Sequence, residues 1–248
     1  MWSNHSLGVW LDHIKYHWPM RTHQLVLQWI EDQLSSGELT LGGRLPAERS
    51  LAEQLHVSRT SVREAIRVME AMGVVRAGVG SGPDAGTVVI ADPTAALGSA
   101  LRLHVATSHL PVKDIVETRV LLESWAASRA HPDAPALADA ARLLEQMENC
   151  AGTEEFLALD VRFHLALADA AGNAVVSAMM GSLREAIQAY AGRITGSLPD
   201  WDATAARLRA EHRGILAAIK AGDGGSAAQL VADHIEGYYA EAGLGTGA

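Results

Sequence analysis

The stretch Leu45–Gly73 reads LPAERSLAEQLHVSRTSVREAIRVMEAMG, and it decides the fold of the N-terminal part of the chain. Pro46 pre-sets the first turn of a short helix, a break follows at His56, and Ser58 can cap the next helix. Two helices joined by so short a break are typical of a helix-turn-helix. In that motif the second helix enters the major groove of DNA.

The neighbouring segments predict a winged form of this motif. Residues 22–36 repeat apolar side chains at helical spacing and so predict a preceding helix. Two short β-branched runs, 74–76 and 87–90, flank a glycine-rich segment and predict a two-stranded hairpin. A helix, the two-helix motif and a hairpin together form a winged helix-turn-helix.

Beyond Pro93 alanine and leucine dominate, no strand pattern remains, and proline and glycine punctuate about six to seven helices. The chain is therefore predicted to be mainly α, with three parts. Residues 1–19 form an atypical extension, residues 20–92 a winged helix-turn-helix, and residues 93–248 an all-helical bundle. For residues 1–19, a natural start at Met20 and a genuine extension that packs its tryptophans are both open.

Composition and charge limit the class of protein. Of the 248 residues, 48% are hydrophobic and 20% are charged, as in ordinary globular proteins. No apolar run is long enough to span a membrane, and the single cysteine, Cys150, excludes an intrachain disulfide. We expect a cytoplasmic protein without a membrane partner. The net charge of −9 argues against binding to nucleic acid. However, residues 44–76 hold six Arg and four Glu and are locally basic.

The second helix of the motif begins with residues that suit DNA. Arg59 and Arg63 are four positions apart and share a face, from which arginine can hydrogen-bond guanine. The hydroxyls of Ser58, Thr60 and Ser61 suit phosphate oxygens. Arginines on a helix can also form an ordinary solvated face. The prediction of DNA binding therefore rests on the whole winged helix-turn-helix pattern and not on the arginines alone.

The stretch Leu45–Gly73 resembles the signature of GntR-type transcriptional regulators. The resemblance implies that Arg49 contacts DNA and that Gly80, in the wing, approaches the minor groove. It implies a homodimer on a palindromic double-stranded operator. The sequence departs from the family at Ala47, where many members have a capping Ser, and in a longer wing, where Asp84 would repel phosphate.

Four polar residues on apolar helix faces mark the helical part. Asp160 and His164 are about 40° apart around a predicted helix, on its apolar side. His212 and His234 lie among apolar residues of two later helices. A lone inward histidine is usually a hydrogen-bonded core residue, but three histidines with a carboxylate suit a divalent metal ion. Zinc is the first candidate, and nickel or manganese are alternatives.

This part also resembles the ligand-binding domain of the FadR subfamily, called FCD. The resemblance lies in the segments 160–173, 211–215, 219–223 and 234–235. It implies that the metal ligands are Asp160, His164, His212 and His234.

Arg119 lies on the apolar side of a predicted helix, where its guanidinium could fork onto a carboxylate ligand. The segment 117–123 resembles the family's Glu-x-Arg-x-x-x-Glu helix, which makes Glu123 a second ligand-binding candidate. The alternative is that Arg119 simply pairs with Glu123. Asn173 can cap the next helix or reach the ligand pocket, and Arg193 is a further pocket candidate.

Together these features predict a DNA-binding transcriptional regulator and not an enzyme. A small organic acid would bind between the metal and Arg119 and shift the dimer between two arrangements, which requires tighter binding to one of them. Repression relieved by the ligand is the family's usual mode. The alternatives are a regulator that senses the metal itself and a metal-dependent hydrolase.

Overall fold

The computed structural model describes residues 22–78, 86–107 and 110–243, except for the side chains of residues 187–194 and 197. The chain divides into two compact units between Ala91 and Asp92. The predicted extension, residues 1–19, and the wing residue Gly80 lie outside the described residues.

The first unit is a winged helix-turn-helix, as predicted. Its described elements are helices α1 (Thr22–Ser36), α2 (Glu48–Gln54) and α3 (Arg59–Ala71) and strands β1 (Val75–Gly78) and β2 (Gly86–Val89). The strands are antiparallel, with Val75 opposite Val89 and Gly78 opposite Gly86.

The core of this unit explains which face of α3 is free. Positions 62, 66 and 69 of α3 are buried at helical spacing against α1, α2 and β1. Arg59 and Arg63 lie outside that buried set and are exposed to solvent. The packing of α3 therefore leaves its arginine face available.

The turn between α2 and α3 follows from local chemistry. Ser58 Oγ accepts a hydrogen bond from the Ser61 backbone N–H at 3.0 Å, which caps the start of α3. His56 takes a left-handed conformation with φ of 53°, which reverses the chain after α2. Ala47 precedes α2 and makes no side-chain cap.

The second unit is helical throughout its described part. Its helices are α4 (Pro93–Ala106), α5 (Val112–Arg129), α6 (Ala136–Asn149), α7 (Thr153–Ala170), α8 (Ala174–Ser197), α9 (Trp201–Lys220) and α10 (Gly224–Glu241). The mainly α fold expected from the sequence is confirmed. None of the described helices combines the length and apolar character of a membrane span.

Close helix contacts in this unit depend on small residues. At Gly181 of α8, an added Cβ would come within 2.6 Å of the Thr94 side chain of α4. Gly98 of α4 meets Glu185 of α8 in the same way. The apolar core lies between helices α5, α6, α7, α9 and α10 and surrounds the polar cluster described below.

Candidate metal centre

Four side chains with metal-binding atoms meet inside the second unit. Asp160 and His164 come from α7, His212 from α9 and His234 from α10. One nitrogen or oxygen from each lies within 4.8 Å of the other three. The structure thus brings together the four residues that the sequence predicts as metal ligands.

These side chains point inward because they share faces with core residues. On α7, Phe156 and Phe163 are buried on the same side as His164. The Phe163 ring also packs against His212, with their centroids 4.6 Å apart. The imidazoles are therefore held by packing, and His212 is fully buried.

The spacing of the donor atoms fits one divalent ion. His164 Nε2 lies 3.1 Å from His234 Nε2 and 3.6 Å from Asp160 Oδ1. His212 Nε2 lies 3.1 Å from Asp160 Oδ1. Two ligands bound about 2.1 Å from one ion at angles between about 90° and 120° stand about 3.0 to 3.6 Å apart.

The hydrogen bonds of the rings support the same fit. His164 Nδ1 lies 2.5 Å from Glu123 Oε2, and His234 Nδ1 lies 2.8 Å from Glu211 Oε2. A carboxylate accepts hydrogen bonds, so each Nδ1 carries a proton, and each Nε2 presents a lone pair wherever the ring is neutral. Between two neutral rings the lone pairs would face each other across 3.1 Å, an unfavourable arrangement that a cation between them would relieve.

His212 adds a third donor without such support. Its Nδ1 has no hydrogen-bond partner among the described residues, although the ring is fully buried. A buried polar atom without a partner is costly in a stable fold. His212 Nε2, which faces Asp160, also forms no hydrogen bond among the described residues, and a metal ion bound there would give that nitrogen a partner.

The protonation states also suit a cation. Burial lowers the pKa of His212 below its ordinary value and that of His234 to about 3. Burial opposes the ionisation of Asp160, but His164 and His212 outweigh it and hold the Asp160 pKa well below its usual range. At neutral pH the side chains of His212, His234 and Asp160 are therefore unprotonated, as metal binding requires.

A buried ion-pair network lies behind the cluster. Glu123 accepts from Arg119 Nε at 2.9 Å and from the terminal nitrogen of Arg184 at 2.9 and 3.1 Å. Arg184 also donates to Asp160 Oδ2 at 3.3 Å. Burial opposes the ionisation of Glu123, yet the two arginines hold its pKa well below the ordinary value.

Arg119, Glu123 and Asn173, which were predicted to bind a ligand, have partners within the protein. Arg119 pairs with Glu123 and donates to the Tyr239 hydroxyl at 2.9 Å, so the simpler alternative, an ion pair, is present. Asn173 Oδ1 accepts from the backbone N–H groups of Val175 and Val176 and thereby caps α8. The Arg193 side chain lies outside the described residues.

Sequence reasoning missed Arg184, Glu211 and Tyr239. Arg184 follows the buried Met180 and Leu183 on α8, and an arginine among apolar neighbours was the signal that could have found it. Glu211 directly precedes His212, but its contact with α10 has no local sequence signature.

The residues predicted to contact DNA surround the start of α3. Arg49, Ser58, Arg59, Thr60 and Arg63 are exposed, whereas Ser61 is partly buried. Arg63 Nε lies 2.7 Å from Glu48 Oε2, and the Ser58 and Ser61 hydroxyls are 3.0 Å apart. Arg59 forms no ion pair within the part of the chain that the structure describes.

Two protein-family models match the chain. The model "Bacterial regulatory proteins, gntR family" matches residues 22–83, and the FCD domain model matches residues 114–237. The first match covers helices α1 to α3 and strand β1, and the second covers all four residues of the cluster.

Two relatives and one solved structure agree with these matches. The HTH-type transcriptional regulator LutR of Bacillus subtilis is 31% identical over 211 residues, which cover 82% of this chain and 92% of LutR. The Uxu operon regulator of Haemophilus influenzae is 27% identical over 231 residues, which cover 87% of this chain and 80% of that protein. The Streptococcus agalactiae GntR structure aligns with a TM-score of 0.62 and 26% identity, covering 87% of this chain and 97% of that one.

Proposed function

Because this chain belongs to the gntR family of bacterial regulatory proteins and carries an FCD domain, it is a DNA-binding transcriptional regulator, and we propose that it is a repressor released by a small organic acid bound at a divalent-metal site. The single observation that carries the metal site is the pair of facing Nε2 atoms of His164 and His234. The relatives are transcriptional regulators and not enzymes, so the hydrolase alternative has no support.

In this proposal the ion is held by Asp160, His164, His212 and His234. Neutral imidazoles with one carboxylate suit zinc, nickel or manganese. A bound divalent ion supplies positive charge and open positions that accept carboxylate oxygens. The buried network around it supplies further charge, since Arg119 and Arg184 are both buried beside Glu123.

The side chains beside the cluster leave almost no free space in the described part of the chain. A small depression lined by Glu123, Ala126, His164, Leu167, Ala168 and Val231 has essentially no volume that a water-sized sphere can enter. A compact acid of a few carbon atoms would therefore bind only if these side chains move, and it would compete with Glu123 for Arg119 or Arg184.

We propose that two chains bind one palindromic operator. A recognition helix of each chain would read one half-site, as twofold symmetry requires. Arg59 and Arg63 would contact bases, with Arg49, the hydroxyls of Ser58, Thr60 and Ser61, and Gly80 of the wing adding contacts to the DNA.

The proposal is tested in two steps. Protein purified without a nickel column is analysed by elemental mass spectrometry, where about one divalent ion per chain is expected. An operator is then selected from random duplexes, and its binding is measured with acetate, L-lactate, succinate and citrate. Weaker binding with one of these acids, in the metal-loaded protein alone, supports the proposal. A cluster that stays empty with zinc, nickel and manganese overturns the metal site.

A second candidate is a regulator that senses the ion itself. It is favoured by one observation, namely that Arg119 is already engaged by Glu123 and Tyr239. Titration of the selected operator complex with Zn²⁺, with organic acids absent, separates the two. A change in DNA affinity with the ion alone favours this second candidate, and no change favours the acid-responsive repressor.

A further inference from the structure

The two carboxylates that back the histidine cluster have unequal surroundings. Glu123 is buried and also binds two buried arginines, Arg119 and Arg184. The side chain of Glu211 is 28% exposed and binds a single arginine, Arg207, which is itself 35% exposed. Loss of the Glu123 carboxylate would leave the buried Arg119 and Arg184 without this counter-ion. Loss of the Glu211 carboxylate would leave only Arg207, which water can solvate.

Glu211 bridges one metal-site histidine and the surface of the unit. One of its oxygens lies 2.8 Å from His234 Nδ1, and the other lies 2.6 Å from Arg207. Residue 211 is on α9 and His234 is on α10, so this contact joins the two helices. Among the described residues, Glu211 is the only hydrogen-bond partner of His234 Nδ1.

We infer that Glu211 is a positioning residue of the metal centre, which holds His234 with Nε2 directed at the ion and thereby sets the affinity for the metal. This inference rests on the proposed metal site. Its physical basis is the hydrogen bond at Nδ1, which fixes the tautomer and ring orientation and makes Nε2 a stronger donor. Loss of such an outer partner typically weakens metal binding by about 10- to 100-fold.

The chain contains a matched control for this residue. Glu241 binds the other terminal nitrogen of Arg207, also at 2.6 Å, and its side chain is 29% exposed. It accepts from the Thr204 hydroxyl instead of a histidine. Glu241→Gln therefore removes the same charge from the same arginine without altering a contact of the cluster.

The test compares wild-type protein with Glu211→Gln, Glu211→Ala and Glu241→Gln. Zn²⁺ affinity is measured by competition with a chelator, the visible spectrum of the Co²⁺ form is recorded, and thermal unfolding is followed without metal. We expect about 10-fold weaker Zn²⁺ binding for Glu211→Gln and up to about 100-fold for Glu211→Ala. Glu241→Gln should stay within about 2-fold of wild type, and the Co²⁺ bands should shift in the Glu211 variants alone.

The possible failures are distinguishable. If wild-type protein binds Zn²⁺ and Glu211→Gln binds it equally well, the inference is wrong and the proposed metal site stands. If wild-type protein binds no Zn²⁺, Ni²⁺ or Mn²⁺, both are wrong. If both Glu211 variants fail to fold without metal while Glu241→Gln folds, Glu211 has a structural role and the inference is overturned.

Discussion

His164 Nε2 lies 3.1 Å from His234 Nε2, although each ring already directs its Nδ1 at a carboxylate. Neither ring can satisfy the other unless one of them takes a second proton. Burial opposes that proton on His234, whose pKa is lowered to about 3. A cation between the two Nε2 atoms, whether a proton or a metal ion, would therefore stabilise this contact between α7 and α10.

Removal of His212 should abolish stable metal binding. In His212→Ala we expect substoichiometric zinc and loss of the thermal stabilisation that added Zn²⁺ gives to wild-type protein. That stabilisation is about 2.7 kcal/mol at a metal concentration 100 times Kd. Elemental mass spectrometry and thermal unfolding measure the two effects. His131→Ala, which removes an exposed histidine of the same unit, is the control. Full metal content in His212→Ala would count against the four-residue site.

Removal of the Glu123 charge should destabilise the fold itself. Glu123→Gln leaves the buried Arg119 without the carboxylate that pairs with it and leaves Arg184 with Asp160 alone, and breaking a buried pair in this way costs about 3 to 5 kcal/mol. Urea unfolding of the metal-free protein gives the free energy. Asp139→Asn removes a carboxylate from an exposed pair with Arg142 and should cost less than about 1 kcal/mol. Equal losses of unfolding free energy in the two variants would show that Glu123 does not stabilise the buried network.

Arg59 should contribute to specific DNA binding. Arg59→Ala is expected to weaken binding to the selected operator by about 1 to 3 kcal/mol if the side chain reads a base. Fluorescence anisotropy at one fixed salt concentration, with a scrambled duplex alongside, measures the specific part. Arg129→Ala removes the same charge from an exposed site in the helical unit and serves as control. Unchanged operator affinity in Arg59→Ala would remove this residue from the interface.

Stability without metal should fall as the pH is lowered below about 6.5. The pKa of His234 is about 3 in the folded protein, against an ordinary value of 6.5, so the unfolded chain binds more protons between these values. His212 acts in the same direction. The free energy of unfolding should therefore be highest above pH 6.5 and decrease towards pH 5, as measured by urea titration. Constant stability from pH 7 to pH 5 would show that these histidines are not buried as neutral rings.

A cap at the start of α2 should stabilise the winged unit. Ala47 precedes α2 without a side-chain hydrogen bond, whereas Ser58 caps α3. We expect Ala47→Ser to raise the free energy of unfolding by about 0.5 to 1 kcal/mol and Ser58→Ala to lower it by about 0.5 to 2 kcal/mol. Urea unfolding checks both. A destabilising effect of Ala47→Ser would mean that residue 47 cannot present its hydroxyl to the helix.

Local pattern was enough for the fold class and for the four donors. The apolar spacing of α3 and the capping Ser58 are properties of neighbouring residues, and they predicted that the helix begins directly after Ser58, as it does. Asp160 and His164 are one turn apart, so helical geometry alone places them on one face. His212 and His234 were recognisable because each is a polar residue among buried apolar neighbours.

The partners of these donors could not be read from the chain. Glu123 reaches His164 from α5, Arg184 reaches Asp160 from α8, and Glu211 reaches His234 from α9. Such contacts depend on how the helices are packed and rotated against one another, and periodicity within one helix carries no information about that. Which side chains face inward is a local property of each helix, whereas which carboxylate backs which histidine is decided only when the helices meet in the folded bundle.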